Sequence, residues 1–266
     1  MAMDQKKLRT ASTRLQPLLA LALLLLLGVG CSCYKGRPPA PVSDLHLAAQ
    51  NNKPEDVVRL VSAGADIHAF GGHSWGTPLH WAAEYNSVEA GRALLASGAD
   101  PNFRDPDGCV PLHTAAAQGS LKMIELLLEH GAGVDLADRG DETPLFAAAS
   151  QGVVGSVVLL LEAGADPELP ANWGVVPLRI AARRGHKDVV AALLKAGANP
   201  DGVPDEEKRK HYSNRDSCGA IGEAAMYGYA EIVRMLLNAG AVATLRNSRG
   251  RTPIFGARGA EVLEML

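Results

Sequence analysis

From Ser43 onward the apolar residues fall into short helical stripes that return in phase. The stretch from Leu121 to His130 carries Met123, Ile124, Leu126 and Leu127 at helical spacing, with Lys122 and Glu125 turned outward; this is an amphipathic helix. Each such stripe ends in Gly-Ala, at Gly64, Gly98, Gly131, Gly164, Gly197 and Gly240. Ahead of it lies a second apolar segment marked by a proline and two alanines. Pro78, Pro111, Pro144 and Pro177 are spaced by 33 residues, and Ala82-Ala83, Ala115-Ala116, Ala148-Ala149 and Ala181-Ala182 follow them in step. Proline suits a first helical turn because it needs no amide donor there. A Thr before it can cap the helix, paired alanines let helices approach closely, and a glycine can end the second helix in the left-handed conformation. The pattern predicts a helix–turn–helix unit and a connecting loop. A unit this small cannot bury its own apolar face, so the units must stack.

The clearest copies begin Thr77-Pro78-Leu79-His80, Val110-Pro111-Leu112-His113, Thr143-Pro144-Leu145-Phe146 and Val176-Pro177-Leu178-Arg179. With this content and period the chain resembles the ankyrin-repeat family over about 220 residues. The resemblance implies an all-α ankyrin-repeat solenoid over residues 43–266, with hairpin or loop fingers between units. A capping unit at about 43–69 uses Ser43-Asp44-Leu45-His46 in place of the Thr-Pro start; five full repeats span about 76–108, 109–141, 142–174, 175–207 and 217–249; a shortened unit runs from Thr252-Pro253-Ile254-Phe255 to Leu266. Two irregularities interrupt the period. The finger Ala69–Trp75 has one extra residue, and Leu178 to Ile221 is ten residues too long, with the surplus in a charged finger insertion within 202–216. The unit after it has Gly219-Ala220-Ile221-Gly222 in place of Thr-Pro-Leu-His. Its first helix is expected to be the least stable of the stack.

The N-terminus follows a different logic. Lys6, Lys7, Arg9 and Arg14 precede an apolar run from Leu18 through Val29. That run is shorter than the roughly 20 residues that span a bilayer and has the layout of a secretory signal over residues 1–30. Its end, Gly28-Val29-Gly30-Cys31-Ser32, resembles the lipobox of bacterial lipoproteins, although Gly28 stands where that family usually has Leu. The resemblance implies lipidation of Cys31, with Cys33 the second candidate and conventional cleavage the alternative. Acyl chains contribute about 0.8 kcal/mol of membrane affinity per buried methylene. Residues 31–42, proline-rich from Arg37 to Pro41, form a tether. The expected location is the bacterial cell envelope, lipid-anchored, periplasmic or outer-membrane associated.

Charge and composition narrow the function. Residues 1–30 carry a net +3 of a chain total of −3, leaving −6 for residues 31–266. An acidic body offers no electrostatic footprint for nucleic acid. No Gly-rich phosphate loop, nucleophile elbow or Cys–His constellation is readable, so neither an enzyme, a cofactor nor a small-molecule substrate is expected. His46, His80 and His113 occupy the position whose imidazole, in ankyrin proteins, ties one repeat to the next. His68 and His73 lack the partners of a zinc site, so no metal is expected. Cys109 and Cys218 lie three repeats apart, roughly 25–30 Å at the spacing of stacked helices, too far for a disulfide.

In the ankyrin family partners lie along the concave face formed by first helices and fingers. The matching pairs are Glu84 and Tyr85, Ala117 and Gln118, Ser150 and Gln151, Arg183 and Arg184, and Met226 and Tyr227. Tyr85, Gln118, Gln151, Arg183, Arg184 and Tyr227 are therefore candidate partner-binding residues, joined on the fingers by Trp75, Phe103, Arg104 and Trp173. Trp and Tyr dominate many interfaces, whereas Trp81 sits at an inward position and is expected in the core. The expected function is to bind a protein partner while held at the membrane, as an immunity protein neutralising a delivered toxin or as an adaptor stabilising an envelope enzyme.

Overall fold

The computed structural model describes residues 40–72, 75–204, 218–247 and 250–266. The signal, Cys31, the tether up to residue 39, His73 and the charged part of the 202–216 insertion lie outside the described residues. Within them the chain forms paired short α-helices: α1 (Asp44–Gln50) with α2 (Pro54–Ser62), α3 (Pro78–Glu84) with α4 (Val88–Ala96), and α5 (Pro111–Gln118) with α6 (Leu121–Glu129). They continue as α7 (Pro144–Gln151) with α8 (Val154–Glu162), α9 (Pro177–Arg184) with α10 (Lys187–Lys195), and α11 (Gly219–Tyr227) with α12 (Ala230–Asn238), and end in α13 (Ala260–Met265). First helices stack on first helices and second on second along the chain. Among the described residues no helix is long and apolar enough to cross a membrane.

The in-phase residues do what their chemistry requires. The alanine pairs of α3, α5, α7 and α9, and Ala224-Ala225 of α11, are wholly buried between first helices. Bulk comes from elsewhere, with Leu79, Leu94, Leu112, Met123, Leu126, Leu145, Leu160 and Leu193 fully buried, each worth about 1.5–3 kcal/mol. One core cluster runs unbroken from Leu45 to Val262. The glycines ending the second helices all have positive φ, from +83° at Gly131 to +96° at Gly98. A side chain there would meet open space, so the demand is for backbone conformation alone.

Polar ties between units follow two ladders. In the first, Nδ1 of His80 accepts from the Thr77 amide (3.3 Å) while Nε2–H donates to the Cys109 carbonyl of the next unit (3.1 Å). His113 repeats this with the Val110 amide (3.1 Å) and the Glu142 carbonyl (2.9 Å). In the capping unit the Ser43 hydroxyl donates to Nδ1 of His46 (2.7 Å), and Nε2–H reaches the Gly76 carbonyl (3.1 Å). The family role expected of these three imidazoles is therefore seen. All are neutral acceptor–donors, and burial holds their pKa values below the ordinary histidine range, to about 4 for His80. The second ladder runs through the loops. Asn102, Asp135, Glu168 and Asp201, again 33 apart, accept from the amides of Gly133 (2.8 Å), Asp166 (3.2 Å), Asn199 (2.9 Å) and Val242 (2.7 Å). His68 is its first rung, accepting from the Asp100 amide at 3.1 Å.

Three details depart from the sequence pattern. The last unit starts with a short 3-10 turn, Pro253–Gly256, in place of a full first helix. Trp81 is only partly buried: its ring lies edge-on to His46 and close over the finger, where a Cβ on Gly72 would meet it at 2.4 Å. Cys109 is buried, whereas Cys218 is half-exposed, and neither forms a disulfide among the described residues.

Candidate protein-binding surface

The first helices carry the candidate row on one face because their last turn points away from the second helices. Tyr85, Arg183, Arg184, Met226 and Tyr227 are exposed and Gln118 and Gln151 half-exposed at equivalent positions of successive units. The row is held stiffly from behind. The Ser87 hydroxyl donates to the Gln50 carbonyl (3.0 Å), that of Ser120 to Ala83 (3.2 Å), and Nε2–H of His186 to Ser150 (3.1 Å). Each bond joins the start of one unit's second helix to the end of the preceding unit's first helix, tying the capping unit to the Tyr85 unit, the Tyr85 unit to the Gln118 unit, and the Gln151 unit to the Arg184 unit.

Along the row the chemistry changes. At one end Tyr85 stands beside the Trp81 ring (6.2 Å between centroids) and near the Gln50 side chain of the capping unit. Burial and the neighbouring Glu84 charge raise its phenol pKa. The middle, from Ala117 to Gln151, is small and polar. Next come Arg183 and Arg184, and one Nη of Arg184 donates to the Ser150 carbonyl (2.8 Å), which aims the guanidinium along the row. The far end is apolar. Met226 and Tyr227 are exposed beside Ile254 and Phe255, Tyr227 stacks on Tyr229 (6.1 Å), and Arg251 lies over the Phe255 ring at 4.4 Å.

The finger candidates divide. Trp173 sits at the tip of a turn with φ +67° and is 68% exposed, so its ring is offered outward. Trp75 also has positive φ, +49°, but is half-buried. Phe103 stacks on His68 (4.3 Å) and lies 6.0 Å from Phe70, which makes it a brace between fingers. Arg104 is exposed, yet its Nη1–H donates to the carbonyls of Gly108 (2.7 Å) and Ala137 (2.5 Å). Its guanidinium locks two fingers together.

Two features were not singled out from the sequence, and a third stood on the predicted face without its burial being foreseen. Arg179, at the position of the ladder histidines, forms a nearly buried ion pair with Glu223 at 2.9 Å, their side chains only 8% and 12% exposed. Arginine in place of a ladder histidine was the visible sign, but the partner lies 44 residues on, across the insertion. Ile254 and Phe255 open the shortened last unit, where the 3-10 turn leaves Phe255 67% exposed. Glu84 is the third. Burial alone raises its carboxyl pKa, and no donor or cation among the described residues lowers it. Among the described residues no three His, Cys, Asp or Glu side chains gather as metal ligands.

Stacked helix pairs, left-handed glycines and histidine ladders define an ankyrin solenoid, the architecture of an interaction module. A family model described as ankyrin repeats, in three copies, matches residues 45–138 and 133–203; the chain belongs to the ankyrin-repeat family. Among solved structures it is similar to the ankyrin-repeat domain of Bcl-3, described as a unique member of the IkappaB protein family (TM-score 0.71, 26% identity, 85% of this chain and 98% of that one). It is similar also to an ankyrin-repeat domain from Acinetobacter baumannii AYE (TM-score 0.63, 33% identity, 75% and 98%). Curated relatives include the palmitoyltransferase Hip14 of Drosophila melanogaster, 43% identical over 68 residues, which are 26% of this chain and 11% of that protein. The palmitoyltransferase AKR1 of Kluyveromyces lactis is 44% identical over 71 residues, 27% and 9% of the two chains. The chain thus spans about a tenth of the length of these curated relatives, and the likeness covers their ankyrin region alone.

Proposed function

We propose that this is an exported, membrane-tethered ankyrin protein of the bacterial cell envelope that binds one protein partner along its first-helix face, as an immunity protein masking a delivered toxin. The row from Tyr85 to Tyr227 carries the reading. It is aromatic and acidic, then small and polar, then basic, then apolar, and inter-unit hydrogen bonds tie the Tyr85 unit to the Gln118 unit and the Gln151 unit to the Arg184 unit. A preformed surface binds with little ordering cost, and its Tyr and Arg residues are the types that dominate interface energetics. Residues 1–31, with their basic start, short apolar run and lipobox-like end at Cys31, support export and lipid anchoring. The testing experiment is affinity capture from cross-linked envelope fractions with wild type and a Tyr85→Ala, Arg184→Ala, Tyr227→Ala triple variant. A single stoichiometric partner lost in the variant is expected, toxic when produced without this protein. A harmless enzyme as that partner would replace the immunity role with an adaptor role; no partner lost in the variant would refute binding through this face.

A further inference from the structure

The last turn of α3 holds an acidic side chain that the fold itself leaves unused. Glu84 is only half-exposed and has no ion-pair partner or hydrogen-bond donor among the described residues. A desolvated, unpaired carboxylate costs stability, and proteins normally pair it or replace it. Its surroundings are suited to a cation. The Trp81 and Tyr85 rings lie 6.2 Å apart and tilted by 43° in the same turn, Tyr85 exposed and Trp81 half-buried against the finger, and the π-systems of such rings attract positive charge. The equivalent residues of the neighbouring units, Gln50 and Ala117, are uncharged, and Ala117 is small. The contrast within the stack is informative: at the other end, the buried Arg179 finds Glu223, so the fold does supply counter-ions where charge is structural.

We infer that Trp81, Glu84 and Tyr85 form a cup for an arginine side chain of the partner, the guanidinium meeting the Glu84 carboxylate and lying against the aromatic rings. Arginine fits better than lysine because its flat guanidinium stacks on rings while its edge donates two hydrogen bonds to one carboxylate. This inference rests on the first-helix face being the partner's docking face, and it fixes the register: the partner's basic residue faces α3, and its acidic residues face Arg183 and Arg184.

The test needs no partner. Nα-acetyl-arginine methylamide is titrated into the protein while the side-chain indole N–H signal of Trp81, assigned by Trp81→Phe, is followed by NMR. The neutral isostere Nα-acetyl-citrulline methylamide is the control. Expected are saturable shifts with the arginine probe alone, weakened at least about tenfold by Glu84→Gln and by added salt. Glu84→Asp, which keeps the charge, is expected to retain binding at reduced strength. No saturable shift in a protein with a wild-type circular dichroism spectrum overturns the inference, as does equal binding by Glu84→Gln or by the citrulline probe. Failure here with partner capture still lost in the Tyr85, Arg184, Tyr227 variant removes the cup and leaves the docking face standing. Probe binding with partner capture unchanged in that variant supports the cup and refutes the docking face.

Discussion

At the scale of single residues, two titrating groups work in opposite directions. His80 is neutral in the fold, its pKa lowered to about 4 chiefly by burial. An unfolded chain would take up a proton near pH 6.5, so this group's contribution is complete above that pH and is lost as pH falls toward 4. The wild type should lose about 3 kcal/mol more than His80→Gln across that interval, measured as urea midpoints at several pH values. Glu84 has the reverse sign. Its folded pKa is raised by burial, so folding is penalised once pH rises above the ordinary carboxylate range. Glu84→Gln should therefore be the more stable form at neutral pH, with the difference vanishing on acidification. Equal stability at both pH values would show that the Glu84 carboxylate is well solvated. The glycines make a third case. Gly131→Ala should cost about 1–2 kcal/mol from its left-handed backbone alone, read from thermal melts, whereas Gly72→Ala should cost more because its Cβ would strike the Trp81 ring. Which of these residues could be recognised in the sequence depended on phase. His46, His80 and His113 stood at a repeating position and could be assigned. Glu84 looked like any surface glutamate, because nothing in the repeat pattern marks a carboxylate that the fold half-buries.

At the scale of elements, α11 is the point of tension. It lacks the Thr-Pro start, begins at Gly219 with φ +73°, and follows the insertion. Yet it forms, with Gly219, Ala220, Ile221, Gly222, Ala224 and Ala225 buried. The Arg179–Glu223 pair holds it onto α9 where a ladder histidine would otherwise act. Removing one partner of such a pair leaves a buried charge, so Glu223→Gln should destabilise the protein by about 3–5 kcal/mol. Amide exchange should quicken first in Gly219–Tyr227. Replacing both residues by leucine should restore most of the loss. If Glu223→Gln unfolds no earlier than wild type, the pair is incidental. The period that revealed every other helix pair hid this contact, because ten inserted residues broke the phase. By contrast the second ladder, at Asn102, Asp135, Glu168 and Asp201, kept the 33-residue spacing in plain view. It escaped notice because its residue types differ and only their acceptor oxygens are equivalent.

At the scale of the whole molecule, each unit touches only its neighbours, so stability is a chain of local interfaces. Rigidity across the first-helix face is then the sum of the two ladders and the hydrogen bonds behind the row. The architecture was fully legible, since a 33-residue period with Pro, Ala-Ala and Gly-Ala landmarks leaves little freedom in how units stack. The candidate surface was legible only in part: register placed Tyr85, the glutamines, the arginines and Tyr227 at equivalent, at least half-exposed positions, while the apolar end at Ile254 and Phe255 depended on a 3-10 turn that the pattern did not foretell. The measurement that bears most directly on the central claim is calorimetric titration of the purified partner against three proteins. These are wild type, the Tyr85→Ala, Arg184→Ala, Tyr227→Ala variant of the first-helix face, and a Val58→Ser, Val158→Ser variant of the exposed second-helix side. Affinity should fall by at least about a hundredfold in the first-helix variant and stay within about twofold of wild type in the second-helix variant. The opposite pattern, or equal losses in both, would contradict binding through the first-helix face.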